Sequence, residues 1–312
     1  MATADVVTGA FSYTGSFIAR RLIAAGHQVR TLTNNPSPPP DLRETVASAP
    51  LDFEDADNLV RFMRGAHTLY NTYWIHSNYG ADAFGAAVQR SKKLFAAARV
   101  AGIRRIVHLS IANPSASGHP YYASKAQLEE AVRSADMSYA LVRPTLVYGE
   151  GDVLINNIAW VLRHFPVFAI PGDGAYRLQP VHVEDVASIA VTAGLADGNI
   201  AIDAAGPDIL RFERLVRILH RAVGSRSVIV KTPPALALAG ARVAGFIAKD
   251  ALLTREQLDD LRAELLVSGE PPRGTIRFSE WLSRQQAVLG SRYASARTRH
   301  QPRPALLRGS NP

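Results

Sequence analysis

The chain has 312 residues, 47% of them hydrophobic, with a formal charge of +8 and no cysteine. That is long enough to bury a sizeable core and too apolar for a disordered chain. The missing cysteines remove disulfides, thiol nucleophiles and cysteine-ligated metals, and fit a reducing, cytoplasmic setting.

The organising stretch comes first. Val6 and Val7 read as the end of a buried strand, Thr8-Gly9-Ala10 begins a tight turn, and Gly15 opens a helix with Phe17, Ile18, Leu22 and Ile23 on its apolar face. Backbone N–H groups and the positive end of the helix dipole converge on such a corner, and glycine admits a pyrophosphate. Dinucleotide folds place their cofactor at this turn. Ser12 stands where the usual fingerprint has its middle glycine, so its side chain must turn away from the pyrophosphate or bond to it. Asp5 arrives too early for a signal peptide, so none is expected.

A second strand is expected over Gln28–Thr33, then a loop beside the adenosine end, where four prolines crowd 36–40. Val46–Leu51 reads as a third strand ending in Asp52-Phe53, and Asp55 can cap a helix over Ala56–Arg64. Next come a strand over His67–Tyr73, a helix over Ala81–Ala101 and a strand over Arg104–Ser110. A helix over Tyr121–Ser134 and a strand over Ser138–Val142 follow. This short-spaced alternation predicts an α/β fold, a doubly wound parallel sheet with helices on both faces. Gly9, Asp52, Tyr73, Ser110 and Pro144 should then line one crevice at the strand ends.

Beyond Tyr148 the rhythm breaks. Helices are expected at Asp152–His164, Val186–Leu195, Arg211–Val223, Pro234–Ala248 and Arg255–Val267, with a strand at Ile200–Ala204. The expected division is a dinucleotide-binding core over 1–150 and a smaller substrate lobe over 151–290 that sends segments back to the core. A basic, disordered tail is expected over 291–312. Five arginines and no acid lie in that tail, which reads as a solvated extension and not a nucleic-acid arm. The apolar run Ala235–Ala248 is short and carries Arg242, so no membrane span is expected.

The second informative stretch is Ser110 followed by Tyr121-Tyr122-Ala123-Ser124-Lys125. Tyr121 and Lys125 are four apart on a helix and share a face. A phenol titrates at roughly 10 and a nearby ammonium favours its ionised form. Ser110 at a strand end can bond a substrate oxygen. Together they can move a proton while a nicotinamide moves a hydride.

These stretches resemble the extended or atypical short-chain dehydrogenases/reductases, which include NAD(P)-dependent epimerases and dehydratases. TGAFSYTG resembles the family's glycine turn, and Asp52 the acid after the third strand that contacts adenine. Ser110, Tyr121 and Lys125 resemble the catalytic Ser–Tyr–Lys set. RPTLVYG at 143–149 resembles the segment beside the nicotinamide, and PVHVEDVA at 180–187 the return into the main domain. The motifs at 71–74 and 156–160 are similar to the atypical branch holding the NAD(P)H-binding accessory subunit of respiratory complex I.

The resemblance implies a Rossmann-type core with a small C-terminal substrate lobe, and NAD or NADP as cofactor. The cofactor would lie against Thr8, Gly9, Ser12, Tyr13, Thr14, Gly15, Asn34, Asp52, Phe53, Thr72, Tyr73, Tyr121, Lys125, Pro144, Thr145 and Val147. The implied reaction moves hydride between nicotinamide and a carbonyl or hydroxyl substrate, with Tyr121 as acid or base and Lys125 lowering its pKa. The atypical branch implies an alternative, a non-catalytic NAD(P)H-binding structural or redox-sensing protein. Thr33-Asn34-Asn35 carries neither the acid of NAD enzymes nor the arginine of NADP enzymes, although Arg30 offers a guanidinium nearby. Ile111-Ala112 after the serine favours simple reduction or oxidation over dehydration. Homodimers through the helices at 81–101 and 121–134 are the implied assembly. Arg177 and Asn157 are candidate substrate contacts, and His182 and Asp185 are read as structural, with no metal expected.

Overall fold

The computed structural model describes residues 3–35, 37–75, 80–115, 118–248, 253–285 and 287–295. Most of the tail expected to be disordered, 296–312, and the first proline of the adenosine-side loop lie outside the described residues. The core opens with β1 (Ala4–Thr8), α1 (Tyr13–Ala24), β2 (Gln28–Leu32), β3 (Ala47–Ala49) and α2 (Ala56–Met63). It continues through β4 (Thr68–Asn71), α3 (Gly80–Ala101), β5 (Arg105–Leu109), α4 (Pro120–Arg133) and β6 (Ser138–Pro144).

After the core come β7 (Leu146–Tyr148), α5 (Leu154–His164), β8 (Val167–Pro171), β9 (Arg177–Leu178) and β10 (Pro180–His182). Then follow α6 (Val183–Leu195), β11 (Ile200–Ala204), β12 (Leu210–Arg211), α7 (Phe212–Ala222) and β13 (Val228–Thr232). The last elements are α8 (Pro234–Ala248), α9 (Arg255–Arg262) and α10 (Phe278–Gln285).

Seven strands form one sheet in the order β11-β6-β5-β4-β1-β2-β3, and every pairing in it is parallel. The order reverses between β1 and β4, which puts a crevice outside their C-terminal ends. All five residues of β1 and of β5 are buried, as strands covered on both faces must be. One face packs α1 and α6 through Ile18, Leu22, Val186 and Ala190 against Val7, Val107 and Val142. The other packs α2 and α3 through Leu59, Met63, Leu94 and Ala98 against Val6 and Leu69. Near α4 the second layer adds Val88, Phe95, Leu128 and Val132 against Ile106 and Leu141.

A second apolar cluster gathers Tyr148, Ile155, Phe168, Phe212, Leu219, Phe278 and Trp281, so the later elements have a centre of their own. β11 leaves them to pair with β6 at the edge of the main sheet. Asp55 caps α2 by accepting from Asn58 N at 2.9 Å, as its spacing predicts. α6 starts three residues before its expected start, because His182 Nδ1 accepts from Glu184 N at 3.2 Å and caps it. α9 stops at Arg262, five residues before the predicted end, and Glu264 nearby has φ +55°. β8 pairs with β13 and β9 with β12, short strands that carry no alternation strong enough to read in sequence.

Candidate functional site

The glycine corner is built by close approach. Gly9 has φ +69°, and a β-carbon there would stand 3.4 Å from both Ser12 Oγ and Thr72 Oγ1. Gly15 meets a harder limit: its β-carbon would lie 2.2 Å from Gly9 O, so the turn's own backbone requires glycine. Ser12 is the N-cap of α1, but its side chain makes no capping bond and no acid occupies the first turn. A helix leaves its first N–H groups without intrahelical carbonyls. Ser12, Tyr13 and Thr14 are each half-buried at this end. An open corner with oriented N–H groups and no competing carboxylate fits a pyrophosphate.

Below it Thr8 Oγ1 is a buried junction. It donates to Asn71 Oδ1 at 3.1 Å and accepts from Thr72 N at 2.8 Å and Tyr73 N at 3.1 Å. Thr72 Oγ1 donates back to Thr8 O at 2.5 Å. β1 and β4 are thus locked together at the crevice mouth. At the adenosine end Asn34 donates to Leu51 O and accepts from Leu51 N, both at 3.0 Å. Exposed Asp52 follows and accepts from Glu54 N at 2.9 Å, while Phe53 tilts against Tyr73 with ring centres 4.8 Å apart. Asn34 therefore shapes the loop with its own amide. Arg30 donates to Phe62 O and Arg64 O at the carbonyl end of α2, at 3.2 and 3.0 Å.

The chemical end lies where β5, β6 and α4 meet. Ser110 N donates to Val142 O at 2.8 Å, which fixes the serine just past β5. Its buried hydroxyl makes no hydrogen bond of ordinary geometry. Lys125 is 4% exposed and donates to Leu109 O at 3.3 Å. Its ammonium sits 4.2 Å over the Trp74 ring and 5.8 Å from the Tyr121 ring centre. Trp74, Phe84 and Tyr121 form an aromatic group with ring centres 5.7 to 6.0 Å apart. Pro144 and Thr145 are buried beside the site and Val147 half-buried. Thr145 spends its hydroxyl on Gln179 O at 2.5 Å.

The electrostatics depart from one expectation. Burial pushes the Tyr121 phenol above its ordinary pKa, and the charge of Asp260 adds to that. Burial also drives Lys125 down to about 7, against the pull of Glu129. Burial also opposes ionisation of Glu129, yet hydrogen bonds from Arg143 and Ser110 and the charges of Arg143 and Arg133 hold its carboxyl below the usual range. Arg143 makes both of its bonds to Glu129, at 2.8 and 2.6 Å.

Two further groups border the site. His119, the N-cap of α4, meets Asp260 of α9 at 2.5 Å, and Asn113 donates to Leu265 O and Val267 O at 3.0 and 2.7 Å. The 260–267 segment therefore flanks the Tyr121 end. Glu129 was legible as the next turn after Lys125, but Asp260 carries no local signal. The other candidates have different work. Asn157 bonds Ala294 O and N, both at 2.9 Å, and Arg177 pairs with Glu264 at 2.6 Å. Asp185 does not cap α6; it accepts from Thr275 N and Ile276 N at 3.0 and 2.9 Å. Among the described residues no cluster of three or more His, Cys, Asp or Glu has metal-holding geometry, and no helix is long and apolar enough to cross a membrane.

A seven-stranded parallel sheet with a glycine corner at its switch point and a Tyr–Lys pair at its strand ends defines a Rossmann-type dinucleotide protein. Residues 6–201 match the NAD dependent epimerase/dehydratase family, and the chain belongs to that family. It is 28% identical to a ceramide reductase of Caulobacter vibrioides over 244 residues, 76% of each chain. It is 26% identical to subunit 9 of the NADH dehydrogenase [ubiquinone] 1 alpha subcomplex of Arabidopsis thaliana, a mitochondrial protein, over 84% of this chain and 70% of that one. The triphenylmethane reductase of Citrobacter sp., solved with NADP(H), shares the fold with a TM-score of 0.74 at 18% identity, covering 91% of this chain and 99% of that one. The cofactor class, NAD(P), is that of the family.

Proposed function

We propose that the protein is an NAD(P)-dependent oxidoreductase acting at a carbonyl or hydroxyl carbon, with Tyr121 as its acid–base group. One observation carries the reading: Ser110, Tyr121 and Lys125 come together at the strand ends, with Lys125 bonded to the carbonyl just before Ser110 and 5.8 Å from the Tyr121 ring centre. A bound nicotinamide supplies or accepts the hydride. Burial keeps Tyr121 protonated, the state that can give a proton to a carbonyl oxygen, which supports a role as acid in a reduction. Ser110 donates a hydrogen bond to that oxygen and orients it. Lys125 would hold the nicotinamide ribose. Ile111 and Ala112 place no acid pair beside the serine, which supports reduction or oxidation over dehydration.

A second reading is a dinucleotide-binding protein without turnover. The Trp74 ring on Lys125 favours it, as does the similarity to the complex I subunit. Fluorescence titration with NADH and NADPH, followed by a panel of ketones and nucleotide sugars, separates the two. Turnover on the panel supports the enzyme, and tight binding without turnover supports the second reading. In an active protein Tyr121→Phe should keep cofactor affinity and lower turnover by about 100- to 10,000-fold. Unchanged turnover in that variant removes Tyr121 from the acid–base role. A homodimer through α3 and α4 belongs to the same proposal and is checked by light scattering.

A further inference from the structure

α8 carries one polar side chain, Arg242, over Pro234–Ala248. A helix apolar all round is normally covered on every side. This one is covered on one side only. Ala237 and Gly245 are buried where α8 packs along β8, while Ala235, Leu236, Ala239 and Gly240 are exposed. At about 100° per residue those four share one arc, with Arg242 at its edge. Leu236 is 62% exposed. The strands beside α8 add two more apolar side chains. Val167 and Val228 pair in register and are 48% and 61% exposed, while Phe168 and Ile170 turn the other way into the second apolar cluster.

The charge around these residues is mostly of one sign. From 214 to 248 the chain carries Arg214, Arg217, Arg221, Arg226, Lys231 and Arg242 and no acid. Glu213 pairs with Arg217 and Lys231, at 2.8 and 2.7 Å, and among the described residues no acid pairs with Arg221, Arg226 or Arg242, all of them exposed. Arg226 stands two residues before Val228, so the valine pair has a cation close by in the chain. Asp173 is an exposed acid at the far end of the same strands, beside the turn where Gly172 N bonds Thr232 O. A second copy seated on this face would bring like cations together, which opposes that pairing. The residues beyond 295 are basic too, with Arg297, Arg299, Arg303 and Arg308 and no acid. A partner that is apolar within and negative at its surface satisfies both features.

We propose that the exposed face of α8 docks on an anionic lipid bilayer, with Leu236 and its apolar neighbours at the acyl boundary and Arg221, Arg226 and Arg242 against headgroup phosphates. The 15 residues of α8 make about 22 Å of helix, too short to span, so it lies along the interface. The cations draw the protein to the negative surface and the apolar side chains hold it there. The docking face belongs to the later elements, and the proposal does not depend on turnover at the Tyr–Lys pair.

The test is flotation of the full chain with vesicles of phosphatidylcholine mixed with phosphatidylglycerol, and of phosphatidylcholine alone. Binding to the mixed vesicles that weakens as salt rises, and far less to the neutral ones, is expected. Leu236→Glu should lower it by at least about 10-fold and Arg242→Ala by about 5-fold. Leu195→Glu, at a leucine equally exposed at the end of α6, should leave it unchanged. All three side chains are exposed, and NADH titration of each variant checks that the fold and the dinucleotide site are intact. No binding to the mixed vesicles at low salt, equal binding to both kinds, or equal loss in the two leucine variants overturns the proposal. Hydrogen exchange on the vesicles should show protection gained over 234–248. Protection gained only over 296–312 assigns the binding to the basic tail and overturns the proposal. A dimer in light scattering that Leu236→Glu dissolves assigns the face to a second copy, with the same consequence. NADH titration and the substrate panel read the reaction site separately, so failure of one reading does not mimic failure of the other.

Discussion

Gly15 is a glycine for a reason the motif alone does not give. The glycine rule speaks of room for a pyrophosphate, but here the first obstacle to a side chain is Gly9 O, 2.2 Å from the β-carbon position. Both atoms belong to backbone, so neither can swing away. Gly15→Ala is therefore expected to cost about 2–3 kcal/mol and to weaken NADH binding together with stability, measured by urea unfolding and fluorescence titration. Ser12 resolves differently. Its hydroxyl faces the space above Gly9 and caps nothing, so a serine fits where the fingerprint has glycine. Tyr121 and Lys125 were readable from helical spacing. Their surroundings were not, because Trp74 over Lys125 and the burial that pushes the phenol up and the ammonium down come from other elements.

At the scale of elements, α4 carries both the proposed acid–base pair and a buried ion pair. Its outer turn carries Tyr121 and Lys125, and one turn on, Glu129 faces Arg143 of β6 and Arg133 of its own helix. The carboxylate is 1% exposed, so removing its charge strands the Arg143 guanidinium. Glu129→Gln is expected to cost about 3 kcal/mol. The pH dependence has a definite sign. The folded carboxyl sits below the usual glutamate range, so the stability it contributes is present above that range and is lost as pH falls through the folded value. Chemical unfolding from pH 7 to pH 3 should show a shallower acid-side loss in Glu129→Gln than in wild type. A slope unchanged between the two would mean other carboxyls carry the acid sensitivity. The i,i+4 spacing of Lys125 and Glu129 was legible, but the partner on β6 required the parallel pairing of β5 and β6 to bring it alongside.

At the scale of the whole molecule, Asp185 is one of the points that tie the later elements to the core. From the first turn of α6 it accepts from Thr275 N, Thr275 Oγ1 and Ile276 N, while Tyr148 donates to Ile276 O at 2.8 Å. The stretch leading into α10 is thus held against both β7 and α6. Asp185→Ala leaves two backbone donors without their acceptor and is expected to cost about 3 kcal/mol. Hydrogen exchange should show the loss of protection concentrated at 275–285, and uniform loss across the sheet would place the weakness elsewhere. The His119–Asp260 pair makes another tie, between α4 and α9.

The sequence by itself determined the alternating strands and helices, the glycine corner, the place of the Tyr–Lys pair and the family likeness. Those are local properties: helical spacing, small residues at a turn, and apolar strands of the length that a covered sheet needs. Only the tertiary structure decided what surrounds them. Asp260 reaches α4 from 141 positions beyond His119, and Asn71 meets His108 across 37. Such contacts depend on sheet order and helix packing, which no spacing within a segment encodes. For the same reason the partners of Asn157 and Arg177, Ala294 and Glu264, could not be read from the segments that carry them. The glycine corner is where the two kinds of information meet: its residues announce a phosphate turn, and its packing shows that the backbone at Gly9 O itself requires Gly15.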